Sequence, residues 1–168
     1  MSQRQVFEAK DFALQKGGVL PAARLVYRTL GTLAPARDNV VLIPSWYSGT
    51  DKEAEFCMVG PGRAIDPARH YVVFTNLLCG GVSSSPSNTP APFEAGRFPR
   101  VTLFDNVRLQ HMLLTQRLGI ERLRLVTGWS MGGCQSFQWG AQYPDMMQAI
   151  APLCCSARTA NFNKVFLF

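Results

Sequence analysis

Several kinds of pattern are missing from this sequence of 168 residues, and each absence narrows what the protein can be. No stretch reaches the roughly 18 consecutive apolar residues that cross a bilayer, and the opening residues, MSQRQVFEAKDF, lack the apolar segment of a signal peptide. We therefore expect no membrane association and a cytoplasmic location. The five cysteines show neither C-x-x-C nor regular spacing, so neither a disulfide framework nor a metal site is indicated. Cys154 and Cys155 lie in an apolar run and are expected to be small buried thiols.

Positive charge is in excess, but it is spread along the chain. Lys and Arg number 17 against 11 Asp and Glu, which gives a formal net charge of +6. The densest clusters are only the pairs Arg122 with Arg124 and Arg97 with Arg100, and no recognised nucleic-acid motif is present. Nucleic acid is therefore not an expected partner, whereas a small anionic molecule such as a phosphate-bearing thioester would use the same excess of charge.

The composition is that of a single globular domain. Hydrophobic residues make up 47% of the chain and charged residues 17%, which allows a sizeable core, and no linker or repeat divides residues 1–168. Two short strands are predicted around Gly17-Gly18. Continuous apolar runs typical of strands buried on both faces follow at NVVLIPS (39–45), HYVVFTNLL (70–78), RLRLVTG (122–128) and AIAPLCC (149–155).

Helical segments alternate with these strands. FDNVRLQHMLLTQRLGI (104–120) has apolar residues near helical spacing with Gly119 as its stop, and MGGCQSFQWGAQYP (131–144) predicts a second helix. This alternation indicates an α/β fold with a mostly parallel sheet. The segment 47–69 is expected to hold a short helix, and the Gly-, Ser- and Pro-rich segment 79–100 either to line a site or to form a mobile surface loop.

The stretch TGWSMGG (127–133) contains the pattern G-x-S-x-G. Ser130 follows an apolar strand and precedes a helix, which is the context in which a sharp turn exposes a serine hydroxyl as a nucleophile. The start of the helix would direct free backbone N–H groups to the same point, with the N–H of Met131 as one donor to an oxyanion. The alternative is a structural serine in a glycine-containing loop, and we favour the nucleophile because of the context.

A second oxyanion donor usually comes from the loop after an earlier strand. Here the strand NVVLIPS continues into Trp46, Tyr47, Ser48, Gly49 and Thr50. Gly49 would let the backbone turn so that an N–H faces Ser130, and the N–H of Tyr47 is our candidate donor. Alternatively, Trp46 and Tyr47 pack over the sheet edge. The two interpretations are compatible, because a backbone N–H that donates to an oxyanion leaves its side chain free to pack.

Five motifs occur together and in order. They are GPGRAID (60–66), VTLFDNVRLQ (101–110), LGIERLRLVTGWSMGG (118–133), YPDMM (143–147) and SARTANFN (156–163). On these motifs the chain resembles the homoserine O-acetyltransferase branch of the α/β-hydrolase superfamily, over nearly its whole length. The resemblance implies an α/β-hydrolase fold and a ping-pong reaction, in which a serine takes an acetyl group from acetyl-CoA and an amino-acid hydroxyl takes it from the serine. Acetyl-CoA is then a co-substrate, and no bound cofactor is implied.

Ser130 matches the nucleophile of that family, and Met131 and Tyr47 match its two oxyanion donors. Two stretches depart from the family's pattern. The sequence PSWYSGT replaces a loop that usually begins with histidine and a small residue, and NLLCGGVSSSPSNTP lacks the family's G-S-T-G-P run. Both departures lie close to the expected pocket, so an ester hydrolase is kept as an alternative to an acyltransferase.

The general base that a serine nucleophile needs is not evident in the sequence. Both histidines, His70 and His111, precede Ser130, whereas the superfamily order is Ser, then Asp or Glu, then His. His70 stands at the entry of a strand, the opposite end from the sites of open α/β sheets, and His111 lies in the middle of a helix. Asp145, which follows a proline, is expected to be a turn residue.

The resemblance implies a lid of helices, an aspartate and a histidine after the last predicted strand. We therefore expect residues 1–168 to form an α/β-hydrolase core domain that is incomplete at its C-terminus. Three explanations are open: a gene fragment or prematurely ended reading frame, a deliberately shortened chain, or one piece of a processed two-chain enzyme, in which a complementary C-terminal chain supplies the missing triad members. A homo-oligomer is the alternative association, and a small molecule is the expected substrate. The alternative from another functional class is a non-catalytic remnant that associates with a second copy or with a complementary chain through an exposed sheet edge.

Overall fold

A mixed β-sheet forms the centre of residues 3–167, which the computed structural model describes. Its strands are β1 (Gln5–Ala13), β2 (Val19–Leu30), β3 (Val40–Pro44), β4 (Tyr71–Thr75), β5 (Leu125–Trp129) and β6 (Ile150–Leu153), in the spatial order β1-β2-β4-β3-β5-β6. β2 is antiparallel to both of its neighbours, whereas β4, β3, β5 and β6 run parallel to one another. The predicted α/β fold with a mostly parallel sheet is confirmed.

Three helices connect the parallel strands: α1 (Asp51–Met58), α2 (Leu103–Met112) and α3 (Met131–Gln142). A further helix, α4 (Asn161–Leu167), follows β6. α2 continues into a π-helical turn at Leu113–Arg117, and the chain turns away at Gly119, whose φ of +63° is the left-handed conformation that glycine adopts without strain. Within residues 3–167, no helix is both long enough and apolar enough to cross a membrane.

The two faces of β3 explain why its sequence is continuously apolar. Val40 and Leu42 join the core on the side of α2 and α3, and Val41 and Ile43 join the core on the side of α1. All five residues of the strand are buried. Because successive side chains of a strand point to opposite faces, a strand covered by helices on both sides has no position for a polar residue.

The loop 79–100 packs along the edge of β2 rather than beside the pocket. The hydroxyls of Ser83 and Ser84 accept hydrogen bonds of 2.9 Å from the N–H groups of Val26 and Arg24 in β2. The serines therefore satisfy backbone donors of β2 beyond the point where β4 ends. Among the described residues, none of this loop lines the pocket beside Ser130. The expectation that the loop lines a site is therefore not met at this pocket.

Candidate active site

Ser130 occupies a sharp turn between β5 and α3. Its backbone angles are φ 52° and ψ −117°, a conformation that residues with a side chain rarely adopt. Its N–H donates to the carbonyl oxygen of Leu153 at 2.9 Å, and its own carbonyl oxygen accepts from the N–H of Cys134 at 3.1 Å. The hydroxyl makes no capping hydrogen bond to the helix and is therefore free for a ligand.

Three glycines allow the backbone to pack tightly around this turn. A Cβ on Gly132 would lie 2.4 Å from the carbonyl oxygen of Pro44, and one on Gly128 would lie 2.5 Å from the carbonyl carbon of Gly132. A Cβ on Gly133 would lie 2.4 Å from Sγ of Cys155. The first turn of α3 therefore lies directly against the ends of β3 and β5, which is only sterically allowed without side chains at these positions.

The loop after β3 is a tight turn over an indole ring. The N–H of Gly49 donates to the carbonyl oxygen of Trp46 at 3.3 Å, and a Cβ on Gly49 would lie 2.3 Å from the Trp46 ring. Trp46 packs against the apolar core beneath α1, whereas Tyr47 is 63% exposed. The alternative of packing on the sheet thus applies to Trp46 and not to Tyr47.

The three predicted site residues meet at one pocket of about 590 Å³. Tyr47, Ser130 and Met131 line it. As the first residue of α3, Met131 has a backbone N–H without an intrahelical acceptor, as an oxyanion donor requires. The remaining lining comes from the cysteines near Ser130 and from the segment that leads into α4, which the sequence patterns did not indicate as part of a site: Cys134, Cys154, Cys155, Ser156, Thr159, Ala160 and Asn163.

A buried amide network ties α3 to the start of the Tyr47 loop. Nε2 of Gln135 donates to the carbonyl oxygen of Ser45 at 2.9 Å, and Nε2 of Gln110 donates to Oε1 of Gln135 at 2.6 Å. Oε1 of Gln110 in turn accepts from Nε1 of Trp139 at 2.8 Å. Both glutamines and the indole are fully buried. The network therefore sets the distance between the helix that follows Ser130 and the loop that carries Tyr47.

An ionic cluster fixes the other end of that loop. Asp51, the first residue of α1, accepts from Nε of Arg4 at 2.9 Å and from Nε of Arg28 at 2.8 Å. Burial acts to raise the pKa of Asp51, but the hydrogen bonds from Arg4, Arg28 and Asn76 outweigh it, so the pKa is lowered. Arg28 also pairs with Glu55. The sequence pattern contained no signal for these contacts, because Arg28 and Asp51 are on separate elements.

Neither histidine reaches the pocket. His111 stacks on Tyr143 with ring centroids 4.0 Å apart, and burial lowers its pKa. Nδ1 of His70 lies 3.2 Å from the carbonyl oxygen of Asp66. Asp145 is exposed in a short turn after α3. The expected placement of all three is confirmed, and no histidine or carboxylate is present among the pocket residues that the structure describes.

The expectation of buried thiols at Cys154 and Cys155 is wrong. Cys154 is exposed and Cys155 is only half-buried. The parallel strand β6 ends at Leu153, one residue before the pair, so the two thiols lie at the pocket and not in the core. The apolar run at 149–155 predicted burial of both thiols, but an apolar run does not indicate at which residue a strand ends.

Residues 38–165 match the protein family described as alpha/beta hydrolase fold, in agreement with the sheet order and with the turn at Ser130. The chain belongs to the α/β-hydrolase family. This α/β-hydrolase is 38% identical over 153 residues to an ethyl acetate hydrolase of Pseudomonas veronii, a match that covers 91% of the chain and 44% of the relative. It is 41% identical over 164 residues to a homoserine O-acetyltransferase of Chlorobaculum tepidum, with 92% of the chain and 45% of the relative covered.

A solved structure agrees with these sequence matches. The α/β-hydrolase chain superposes with a TM-score of 0.94 on an acetylester hydrolase from Corynebacterium glutamicum, at 33% identity, and the match covers 98% of this chain and 47% of that one. The resemblance to homoserine O-acetyltransferases is confirmed, and esterases are relatives of equal standing. The chain spans less than half the length of these relatives.

Proposed function

We propose that this α/β-hydrolase chain carries the nucleophile of an acyl-transfer reaction. Ser130 attacks an acyl carbonyl, and the N–H groups of Met131 and Tyr47 stabilise the oxyanion that forms. The observation that supports this role is the backbone conformation of Ser130, which is held between a strand and a helix at a pocket that Tyr47 and Met131 also line. Strained backbone of this kind is concentrated at functional sites.

The acyl group we propose is acetyl. An ethyl acetate hydrolase, an acetylester hydrolase and a homoserine O-acetyltransferase are all relatives of this chain, and their names share the acetyl group but differ in the acceptor. We favour water as the acceptor, because the Tyr47 loop, which contributes to the pocket, departs from the acetyltransferase pattern. The second candidate is transfer to a hydroxyl acceptor with acetyl-CoA as co-substrate, which the 41% identity to the acetyltransferase supports.

The general base is the part of the mechanism that the described pocket residues do not supply. An acyl-enzyme needs a base to take the proton of the Ser130 hydroxyl and an acid to protonate the leaving group. We propose that a histidine and a carboxylate outside the described pocket residues act as the base and its orienting group. The cytoplasmic location stays a prediction.

Labelling with a fluorophosphonate tests the nucleophile. With imidazole added as the missing general base, the intact mass of the chain should increase by one adduct, and peptide mapping should place the adduct on Ser130. Ser130→Ala should abolish the label, whereas Ser156→Ala, a matched change of another pocket serine, should retain it. A label that persists in Ser130→Ala contradicts the proposal. A folded chain that takes no label even with imidazole present contradicts it as well, and favours the non-catalytic alternative.

A second experiment separates the two candidate acceptors. It compares the cleavage of acetyl esters and of acetyl-CoA, each measured with and without an alcohol acceptor. A hydrolase releases acetate at a rate that the alcohol leaves unchanged. A transferase forms the acetylated alcohol at the expense of acetate, because water and the alcohol compete for the same acyl-enzyme.

A further inference from the structure

Three cysteines lie together on the wall of the pocket that holds Ser130. Cys134 is on the first turn of α3, one helical turn beyond Ser130, and Cys154 and Cys155 directly follow β6. The thiols therefore come from two separate elements that meet at this pocket. Because all three are pocket-lining, small molecules that enter the pocket reach them.

Cys134 and Cys155 are neighbours in the wall of the pocket. Sγ of Cys155 packs against the backbone of Gly133, where a Cβ would lie only 2.4 Å from it. Sγ of Cys134 lies 3.9 Å from the carbonyl oxygen of Ser156. Each sulfur thus touches a residue adjacent in sequence to the other cysteine. Burial and the neighbouring Cys134 thiol raise the pKa of Cys155.

The cluster is not arranged as a metal site. In the part of the chain that the structure describes, no group of three or more His, Cys, Asp or Glu side chains is placed to hold a metal ion. Two neighbouring, half-buried thiols of this kind can undergo thiol–disulfide exchange.

We propose that Cys134 and Cys155 form a reversible dithiol–disulfide pair in the wall of the Ser130 pocket, oxidised by a small disulfide such as oxidised glutathione. The Cys134 thiolate attacks one sulfur of the small disulfide, forms a mixed disulfide and releases one small thiol. Cys155 then attacks Sγ of Cys134 and displaces the second small thiol. The two protein thiols are oxidised, the small disulfide is reduced, and the two protons leave with the two small thiols.

The bond would regulate the site, a consequence that rests on the proposed function of Ser130. A disulfide would join the first turn of α3 to the chain after β6. It would therefore move the pocket wall at a place that is one helical turn away from Ser130. Misplacement of reacting groups by about 1 Å costs on the order of a hundredfold in rate, so we expect oxidation to slow acylation of Ser130 by at least about tenfold.

Intact-mass analysis of the full chain after incubation with oxidised glutathione tests the bond itself. The chain should lose the mass of two hydrogen atoms and regain it with a reducing agent. Trypsin leaves all three cysteines in one peptide, because no Lys or Arg occurs between Arg124 and Arg158, so chymotrypsin is needed to separate Cys134 from the other two. A crosslink between the two chymotryptic peptides is the expected result.

Single variants identify the partners. Cys155→Ser should accumulate a glutathione adduct on Cys134 without a crosslink, and Cys134→Ser should abolish the crosslink. The crosslink should persist in Cys154→Ser and in Cys57→Ser, an exposed thiol on α1 outside this pocket. The absence of a crosslink in the folded wild-type chain overturns the proposal, and so does a bond between Cys154 and Cys155.

Fluorophosphonate labelling of the reduced and oxidised chain, each with imidazole present as the general base, tests the regulation. The oxidised wild-type chain should label more slowly than the reduced one. Cys155→Ser, which cannot form the disulfide, should label at the same rate before and after treatment with an oxidant, provided that no glutathione adduct is present. Equal rates for the reduced and oxidised wild-type chain overturn the regulatory role. If the reduced chain does not label, the nucleophile proposal fails, while the mapped crosslink still decides whether the thiol pair exists.

Discussion

At the scale of single residues, the site depends on a strained serine and on the glycines beside it. A residue with a side chain in the conformation of Ser130 costs on the order of 1–3 kcal/mol, which the surrounding contacts must offset. The hydrogen bonds of its N–H to Leu153 and of its carbonyl oxygen to Cys134 hold it in place. At Gly132 the backbone leaves no room for a side chain, because a Cβ there would meet the carbonyl oxygen of Pro44.

We expect Gly132→Ala to destabilise the chain. The added Cβ would lie 2.4 Å from a backbone oxygen at the end of β3, and neither α3 nor the central strand can move away without loss of packing. The free energy of unfolding in urea should fall by about 1–3 kcal/mol. Gly96→Ala is the matched control, since its Cβ would meet no atom within 4 Å. Equal stability of the two variants would contradict the steric argument.

At the scale of elements, the pocket depends on how α3 is joined to the end of β3. Gln135, on the second turn of α3, donates to the carbonyl oxygen of Ser45, two residues before Tyr47. Gln110 of α2 accepts from Trp139 and donates to Gln135, so the orientation of the Gln135 amide is determined. Without this bond, the loop that carries Tyr47 would be held less firmly at its distance from Ser130.

We expect Gln135→Leu to slow the labelling of Ser130 by about tenfold, because the Tyr47 loop loses its contact with α3. The buried carbonyl of Ser45 and amide of Gln110 also lose a partner, which costs about 1–3 kcal/mol of stability. The measurements are the fluorophosphonate rate and urea unfolding of each variant. Gln138→Leu, a half-buried position on the same helix, should change neither strongly. A loss of stability with an unchanged labelling rate would show that Gln135 is structural only.

At the scale of the whole molecule, apolar side chains are exposed around the last strand and helix. Leu153 at the end of β6 is 39% exposed, and Phe162 and Val165 of α4 are 91% and 80% exposed. In the described residues β6 pairs on one side only, with β5. Its Pro152 has no N–H and limits the addition of a strand at that edge. Side-chain packing is therefore the more favourable route to association with a second copy.

We expect the chain to self-associate as its concentration is raised, with α4 in the contact. Phe162→Glu should shift the mass measured by light scattering during sizing chromatography toward the monomer, because it places a charge in an apolar contact. Phe56→Glu, which changes an 81% exposed phenylalanine on α1, should leave the association unchanged. A sharp monomer peak of the unmodified chain at high concentration would exclude self-association.

Much of the site was predictable because its signals are local in sequence. The G-x-S-x-G pattern between a strand and a helix identified Ser130 and Met131, and the loop after β3 identified Tyr47. The structure brings all three to one pocket, while their catalytic roles stay predictions. The burial of Cys154 was predicted wrongly, because one residue decides whether a side chain lies in a strand or beyond it.

By itself, the sequence determined the fold class, the order of the strands along the chain and the strained turn, because apolar periodicity and glycine spacing act over a few residues. Only the tertiary structure decided which distant groups meet. Arg28 pairs with Asp51, a chain of amides runs from Trp139 to Ser45, and Sγ of Cys134 approaches the carbonyl oxygen of Ser156. Each of these contacts joins separate elements. Such contacts depend on how the strands are ordered in the sheet and how the helices lie across it, which no local pattern encodes.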